Sequence, residues 1–304
     1  MKLNNIELTF ENFANEMAKL KNEKHFDYLV TIIGEDFGEE GLGCIYILEN
    51  TQNNERCSVR TIAKKVDGSD VIPTVTNLWK AADLLEREVF DFVGIKFLGH
   101  PDMRRLFLRT DFVGHPLRKD FDMSPEANKF PLTDEPEDDF TVEYSLDKDG
   151  HLVETKHRLF EEDEYVVNIG PNHPSTHGVL RLQTVIDGET VKRIYPHLGY
   201  IHRGIEKMWE GMTYPQTLAL TDRLNYLSAM MHRHALVGVI EEAMGIELSD
   251  RIRYIRTIMD ELQRIDSHLL FLGCTAQDLG ALTAFLYCMR DREHVLNVME
   301  ETTG

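Results

Sequence analysis

One acidic stretch divides the sequence into two parts, and this division constrains the fold more than any other feature. Residues 133–165 contain thirteen acidic and three basic residues, which is roughly half of the chain's net charge of −19. Such a charge excess, with few apolar residues, is typical of a solvated segment. We therefore predict an acidic linker over residues 126–164. An alternative is that TVEYS and HLVET, within this stretch, pair as a short hairpin around DKDG.

The overall composition excludes several classes of protein. A chain of 304 residues is long enough for about two domains. The net charge argues against a nucleic-acid partner, because contact with phosphates requires clustered Lys and Arg. Polar and acidic residues interrupt the first twenty positions, so they do not resemble a signal peptide, and no run of about 18 apolar residues would span a bilayer. We expect a cytosolic chain that reaches a membrane only through partners.

Residues 1–125 mix helical and strand patterns, which predicts an α+β domain with an antiparallel sheet. Phe10, Phe13, Met17 and Leu20 recur at helical spacing. A second helix is expected where Leu78, Trp79, Ala82 and Leu85 share one face. HFDYLVTIIGEDF, GCIYILEN and CSVRTIAKKV are rich in strand-forming residues.

Residues 165–304 begin with strand patterns and become helical after about residue 204. EYVVNIG, HGVLRLQTVI and TVKRIYP predict a small sheet, with a hairpin turn at DGE. A long helix is expected between a cap at Ser249 and a stop at Gly273. Its predicted buried stripe is Ile252, Ile255, Met259, Leu262, Ile265 and Leu269. A last helix is expected to bury Leu282, Phe285, Leu286, Met289 and Leu296.

Two histidines four residues apart, His173 and His177, suggest a metal pair only if the segment is helical. Pro174 disfavours helix at His173, and glycine and proline flank the pair, so we predict a loop entering a strand. The four cysteines are isolated, without a C-x-x-C pair or a disulfide framework. We predict no metal site.

Three further polar residues each have a structural explanation when taken singly. Tyr226 is expected to share a helical face with Asp222, as a core aromatic residue with a satisfied hydroxyl. Asp278 is expected in the first turn of the last helix, where the helix dipole favours a carboxylate. YIHRGIEKMWE is typical of a solvated helix start with ion pairs.

Taken together, the motifs resemble one protein family. GPNHPSTHGVLRL, PHLGYIHRGIEK, TDRLNYL and DLGALTAF follow one another as in the D subunit of proton-pumping NADH–quinone oxidoreductase (complex I). Upstream, EREVFDFVGIKFLGHPDMRRL and GHPLRKDF resemble the signature of its C subunit. The chain is thus similar to a fused C/D subunit, with a C-like domain over 1–125 and a D-like domain over 165–304. The family's D subunit is longer, so we expect the D-like domain here to be incomplete, with a small sheet and a helical bundle as in the [NiFe]-hydrogenase large subunit.

The resemblance implies roles for five residues. His177 is similar to the residue that hydrogen-bonds one quinone carbonyl, and Tyr226 to the donor to the other. Asp278 resembles the aspartate that pairs with this histidine, and a carboxylate partner favours and orients an imidazolium. Arg203 matches an arginine near the terminal iron–sulfur cluster of a different subunit, and Arg223 is a second candidate there. A fixed cation would favour the reduced cluster.

The resemblance also implies the partners and cofactors. His173, His202 and Glu206 are expected only to support the site. Quinone is the expected substrate, and this chain alone is expected to bind no cofactor and to have no activity. The iron–sulfur cluster and NADH belong to other subunits, because no glycine-rich nucleotide fingerprint is present. The expected partners are the subunit with the terminal cluster and the membrane arm, at the cytoplasmic side of the inner membrane. Which quinone is used, and whether NADH or ferredoxin donates electrons, stays open.

Two alternatives belong to other functional classes. A [NiFe] hydrogenase large subunit needs cysteine thiolates, but Asn225 and Ser228 stand where two of them would lie, and thiolates are required for that metal site. A purely structural assembly protein fits the C-like domain, in which we identify no nucleophile or cofactor site and predict docking to partner subunits. The combination of His177, Tyr226 and Asp278 argues against it for the D-like domain.

Overall fold

The computed structural model describes residues 4–124, 139–161, 163–174 and 178–304, and it confirms the α+β class. We call residues 4–124 the N-terminal part. Its elements are β1 (Asn4–Leu8), α1 (Phe10–Asn22), β2 (Tyr28–Asp36), β3 (Leu42–Asn50), β4 (Glu55–Ile62), β5 (Lys64–Val66), β6 (Ser69–Pro73), α2 (Ala82–Val93) and β7 (Lys96–Leu98).

The core of the N-terminal part lies between its sheet and its two helices. The predicted α1 stripe is confirmed at three of its four positions, because Phe13, Met17 and Leu20 are buried and Phe10 is half-buried. Helix α2 packs closely on β2 at Gly34, where a Cβ atom would lie 2.6 Å from Val89 Cγ1. A side chain at this position would therefore separate the helix from the sheet.

Two details of the N-terminal part differ from the sequence predictions. Its four-stranded sheet, in the order β1-β4-β3-β2, is mixed rather than antiparallel, because β1 pairs with β4 in parallel. Helix α2 begins at Ala82, so Leu78 and Trp79 lie in the preceding turn and not on a helical face. Trp79 is nevertheless buried, and its Nε1–H donates to the Phe26 carbonyl at 3.2 Å.

The acidic stretch contains the hairpin rather than only a linker. Strands β8 (Phe140–Leu146) and β9 (Leu152–Arg158) pair in antiparallel fashion. They extend a five-stranded sheet in the order β5-β6-β7-β8-β9, in which β7 and β8 are parallel. Tyr144 of β8 belongs to the buried core of the N-terminal part.

The next three strands form the predicted small sheet. Strands β10 (Tyr165–Ile169), β11 (Arg181–Asp187) and β12 (Thr190–His197) are antiparallel in the order β10-β11-β12. Gly188, with φ +60°, lies in the β11–β12 turn that DGE predicts. The sheet has a small core of its own around Val185, Leu159 and Phe160.

The chain becomes helical at Ile205, as predicted. The helices are α3 (Ile205–Glu210), α4 (Tyr214–Thr221), α5 (Ala229–Met244), α6 (Asp250–Asp278) and α7 (Leu282–Thr303). Residues up to Gly204 form one compact unit, and residues from Ile205 form a second. The predicted domain limits, 1–125 and 165–304, stay predictions.

The packing of α6 and α7 differs from the predicted stripes. Gly273 does not stop α6, which continues to Asp278. Instead, Gly273 is buried where α7 approaches, with its Cβ position 3.2 Å from Cys288 Cβ. Of the predicted α6 stripe only Met259 is buried. On α7, Leu282 and Leu286 are both 56% exposed, and the buried residues are Cys288 and Met299.

Candidate functional site

Of the three predicted quinone-site residues, the structure describes Tyr226 and Asp278, which lie in an irregular segment and at a helix end. His177 lies outside the described residues. The described part of its loop, 170–174, is not helical, which confirms that prediction. Tyr226 lies between α4 and α5 and is 81% exposed. Because α4 ends at Thr221, the prediction that Tyr226 shares a helical face with Asp222 is wrong, as is the prediction that it lies in the core.

The segment that carries Tyr226 is held by its neighbours in the helical unit. The Leu227 carbonyl accepts a hydrogen bond from Gln263 Nε2 of α6 at 3.0 Å. Asn225 Oδ1 accepts from the Leu227 N–H at 3.2 Å, and the Asn225 carbonyl accepts from the Ser228 N–H at 2.9 Å. Tyr226 itself forms no hydrogen bond with any described residue, so its phenol is available to a ligand.

A buried carboxylate that the sequence analysis missed lies behind Gln263. Asp266 is fully buried, and its Oδ2 accepts from Gln263 Nε2 and from Arg292 Nη2 of α7, both at 3.1 Å. Burial raises the pKa of Asp266, and the charge of Arg292 opposes this effect. Gln263 and Asp266 are three residues apart, so they are neighbours on one face of a helix. This spacing predicts a buried polar pair from sequence only if that helical face is known to be buried.

Asp278 is the last residue of α6, so the prediction that it lies in the first turn of α7 is wrong. Asp278 and Tyr226 belong to the same helical unit but are not hydrogen-bonded to each other. The structure therefore shows no direct hydrogen bond by which these two residues would form one site.

The two predicted cationic residues have different surroundings. Arg203 is exposed and forms no hydrogen bond or ion pair within the described parts of the chain. Arg223 Nη1 donates to the Ala219 carbonyl one turn earlier and lies 3.9 Å from Asp222 Oδ2. Asp222 also pairs with Arg233 of α5. Arg203 is thus the more available cation.

The predicted ion pair in YIHRGIEKMWE is present, between Lys207 Nζ and Glu210 Oε2 at 2.8 Å. Among the described residues, no group of three or more His, Cys, Asp or Glu side chains is arranged to hold a metal ion. In the same ranges, no helix has the length and apolar character that crossing a bilayer requires.

The C-like signature forms a buried polar network. Asp91 is fully buried, and its Oδ2 accepts from the N–H groups of Leu106, Phe107 and Leu108 at 3.0, 2.7 and 2.9 Å. Its Oδ1 accepts from Arg105 Nη1 at 2.8 Å. These bonds hold the segment after β7 against α2. The buried signature residues therefore stabilise the fold and are not exposed to a partner.

Other signature residues are buried with shifted pKa values. Burial raises the pKa of Glu86 to about 8, although Thr74 Oγ1 and the Val75 N–H donate to its carboxylate. Burial lowers the pKa of His100 and of His115. Glu86 belongs to the ERE motif, and its neutral form is thus favoured inside the domain.

A cavity of about 500 Å³ lies between the segment that follows β7 and the β11–β12 sheet. Of the predicted site residues that the structure describes, Tyr226, Asp278, Arg203 and Arg223, none lines it. The lining side chains are mostly cationic or polar: Arg87, Arg104, Arg105, Arg109, Arg181, Gln183 and His197. Several of these arginines form ion pairs with nearby carboxylates, such as Arg104 with Asp102 and Arg109 with Asp111. Part of the positive charge at the cavity is therefore neutralised.

Comparisons with known proteins point to one family. Residues 6–127 match the family described as "Respiratory-chain NADH dehydrogenase, 30 Kd subunit". A Phocaeicola vulgatus protein, named as the C/D subunit of NADH-quinone oxidoreductase, is 54% identical, over 98% of this chain and 57% of its own length. An Aquifex aeolicus protein, named as the second C/D subunit of NADH-quinone oxidoreductase in that organism, is 41% identical, over 96% of this chain and 52% of its own.

A solved structure of the trypsin-resistant fragment (1-134) of Nqo5 is 35% identical, and the match covers 32% of this chain and 80% of that one, with a TM-score of 0.30. The chain spans about half the length of the curated relatives it matches.

Proposed function

The chain belongs to the family of NADH-quinone oxidoreductase C/D subunits, and we propose that it contributes to the quinone-reduction site of such an enzyme. The single observation that carries this proposal is the ordered set of four motifs in residues 166–304, within a match that covers nearly the whole chain. The electrons would come from an iron–sulfur cluster of another subunit, and the assembled enzyme would lie on the cytoplasmic side of the membrane.

In this proposal, Tyr226 and His177 hydrogen-bond the two quinone carbonyls, and Asp278 supports His177. The exposure of Tyr226 and the absence of a hydrogen-bond partner among the described residues support a role as donor to a bound ligand. Reduction of a quinone consumes two electrons and two protons. Phenols in general titrate near pH 10, so a tyrosine is suited to donate a hydrogen bond at neutral pH, and a His–Asp pair is better suited to release a proton.

Arg203 and Arg223 are proposed to lie near the partner's cluster. An exposed guanidinium without a partner among the described residues, as at Arg203, is able to approach another subunit and to stabilise added negative charge there. We propose domain limits of 1–125 and 165–304. In the first domain, the exposed residues are proposed to dock other subunits.

The proposal is tested by His177→Gln, Tyr226→Phe and Asp278→Asn in the complete oxidoreductase complex, with quinone reductase activity as the measurement. We expect loss of turnover of at least about tenfold for each. A hydrogen bond to a charged group, as Tyr226 would make to the reduced quinone, contributes about 1.5–3 kcal/mol, and a positioned proton donor such as the His177–Asp278 pair contributes about 10²–10⁴-fold. Tyr254→Phe and Asp250→Asn are matched controls, because both residues are exposed on α6 outside the motifs. Normal turnover in all three site variants would contradict the proposal.

A further inference from the structure

The loop that carries Arg203 packs on the N-terminal part through a cluster of three rings. We call residues 197–204 the H-R-G loop. The His202 ring stacks on Phe92, with centroids 4.8 Å apart and an interplanar angle of 21°. It also contacts Phe107, at 5.4 Å, and the two phenylalanines stack on each other at 5.5 Å and 23°. Each ring therefore touches both others.

The backbone of the H-R-G loop is fixed at the same place. Gly199 has φ +94°, and a Cβ atom there would overlap the Phe107 carbonyl oxygen. Only glycine therefore permits this approach of one backbone to the other. The His202 N–H donates to the Gly199 carbonyl at 2.9 Å, which closes the turn.

His202 also orders the residues that follow it. Its Nδ1 accepts a hydrogen bond from the Gly204 N–H at 3.2 Å. Arg203 lies between these two residues and is exposed, whereas the His202 ring is half-buried. The ring stack thus holds His202 from one side, and the Gly204 contact limits the backbone freedom of Arg203.

The surface on which the loop packs is itself held in place. Phe92 is a buried residue of α2, and the Phe107 N–H donates to the buried Asp91 carboxylate at 2.7 Å. A continuous set of contacts therefore runs from Asp91 through Phe107 to Gly199 and His202, all within one compact unit.

We propose that the N-terminal part anchors the H-R-G loop, with Phe107 and His202 as positioning residues for Arg203. This gives the C-like part a role in the oxidoreductase beyond docking. The anchoring stands on the ring and backbone contacts alone, whereas its consequence for electron transfer rests on the proposed place of Arg203 beside the partner's cluster.

The first experiment measures amide hydrogen exchange of the H-R-G loop in the complete complex. Phe107→Leu removes the stacking and keeps an apolar side chain. Because an aromatic pair contributes about 0.5–1.5 kcal/mol, we expect exchange to rise about two- to tenfold. Phe121→Leu is the matched control, because Phe121 stacks on Phe112, 6.0 Å away, and that pair does not include the loop.

Glycine variants test the backbone contact separately. Gly199→Ala is expected to speed exchange further, because the new methyl group meets the Phe107 carbonyl. Gly188→Ala is the control: it also has a positive φ, of +60°, but no atom lies within 4 Å of its Cβ position. Unchanged loop exchange in both Phe107→Leu and Gly199→Ala would overturn the anchoring.

His202 variants keep the test independent of folding of the N-terminal part. His202→Ala is expected to loosen the loop, and His202→Phe, which retains a ring for stacking, to restore slow exchange at residues 199–202. Equal exchange in the Ala and Phe variants would show that the ring stack does not position the loop.

The second experiment measures the midpoint potential of the partner's terminal cluster by EPR titration. Arg203→Met is expected to lower it, and Phe107→Leu and His202→Ala to lower it partly, because a mobile cation stabilises the reduced cluster less. An unchanged potential in Arg203→Met would refute the placement of Arg203, while the exchange data still decide the anchoring. A shift in Arg203→Met without any shift in the loop variants would overturn the positioning role and leave the proposed function intact.

Discussion

Asp91→Asn tests whether one buried carboxylate holds the C-like signature together. The Asp91 side chain accepts four hydrogen bonds, three from consecutive backbone N–H groups and one from Arg105. Arg105 is itself only 11% exposed at its side chain. An asparagine has one carbonyl oxygen in place of two carboxylate oxygens, so its amide group must face either the N–H groups or the guanidinium.

The cost of this substitution follows from the contacts that it breaks. If the asparagine oxygen keeps the three backbone donors, its Nδ2 faces Arg105 Nη1, and two donors oppose each other. The arginine then remains buried without its counter-charge. Removing one partner of a buried ion pair costs about 3–5 kcal/mol. We expect the lower end, about 3 kcal/mol, because the Arg105 Nη2 group still donates to the Phe112 and Gly114 carbonyls.

Urea unfolding of this chain measures the effect. Trp79 is buried in the first unit and Trp209 lies in the second, so a Trp209→Phe background makes fluorescence report the first unit alone. A loss of about 3 kcal/mol lowers the unfolding midpoint by about 1 M or more. Asp111→Asn is the control, because its pair with Arg109 is about one-third exposed and is expected to contribute less than about 1 kcal/mol. A loss below about 1 kcal/mol for Asp91→Asn would refute the reasoning.

Two further predictions concern Glu86 and Gly273. Burial raises the pKa of Glu86 from 4.5 to about 8. Between these pH values the folded chain therefore keeps a proton that the unfolded chain has released, so the free energy of unfolding falls as pH rises. Glu86→Gln should therefore gain up to about 4 kcal/mol relative to the parent chain between pH 5 and 8 in urea titrations, and parallel pH profiles would contradict this. Gly273→Leu should cost the second unit about 1–3 kcal/mol by forcing α7 away, measured by Trp209 fluorescence in a Trp79→Phe background. Gly238→Ala, on α5 with open space around it, should instead stabilise that unit by about 1 kcal/mol, and equal losses in both variants would exclude close packing as the cause.

Local sequence patterns predicted the helices and strands better than they predicted which strands pair with each other. The stripe of α1, the strands β2, β3 and β4 and the DGE turn depend on residues close in sequence, and each was predicted correctly, whereas β1, β6 and β7 were not predicted. The parallel pairing of β1 with β4 was not, because it joins strands about fifty residues apart, as between Asn5 and Ser58. No periodicity within either strand specifies that direction.

The candidate site was predicted by motif order and not by spacing. The assignment of Tyr226 to a helical face failed because α4 ends at Thr221, whereas its place in TDRLNYL did not depend on secondary structure. The anchoring of His202 was not predictable from its own motif. Its ring partners, Phe92 and Phe107, lie about a hundred residues earlier and belong to a different signature.

Helix α6 shows why counting apolar residues does not identify which positions are buried. Ile255, Ile258 and Ile265 are 49%, 56% and 50% exposed, so these apolar side chains are left partly uncovered by the described residues. The buried positions instead include Gln263, Asp266 and Gly273, where a glycine allows α7 to approach and Arg292 compensates the carboxylate. Burial there depends on close contact and on paired polar groups, which hydropathy does not measure. Because Gln263 also donates to the Leu227 carbonyl, a buried polar residue that the apolar pattern does not include holds the segment of Tyr226.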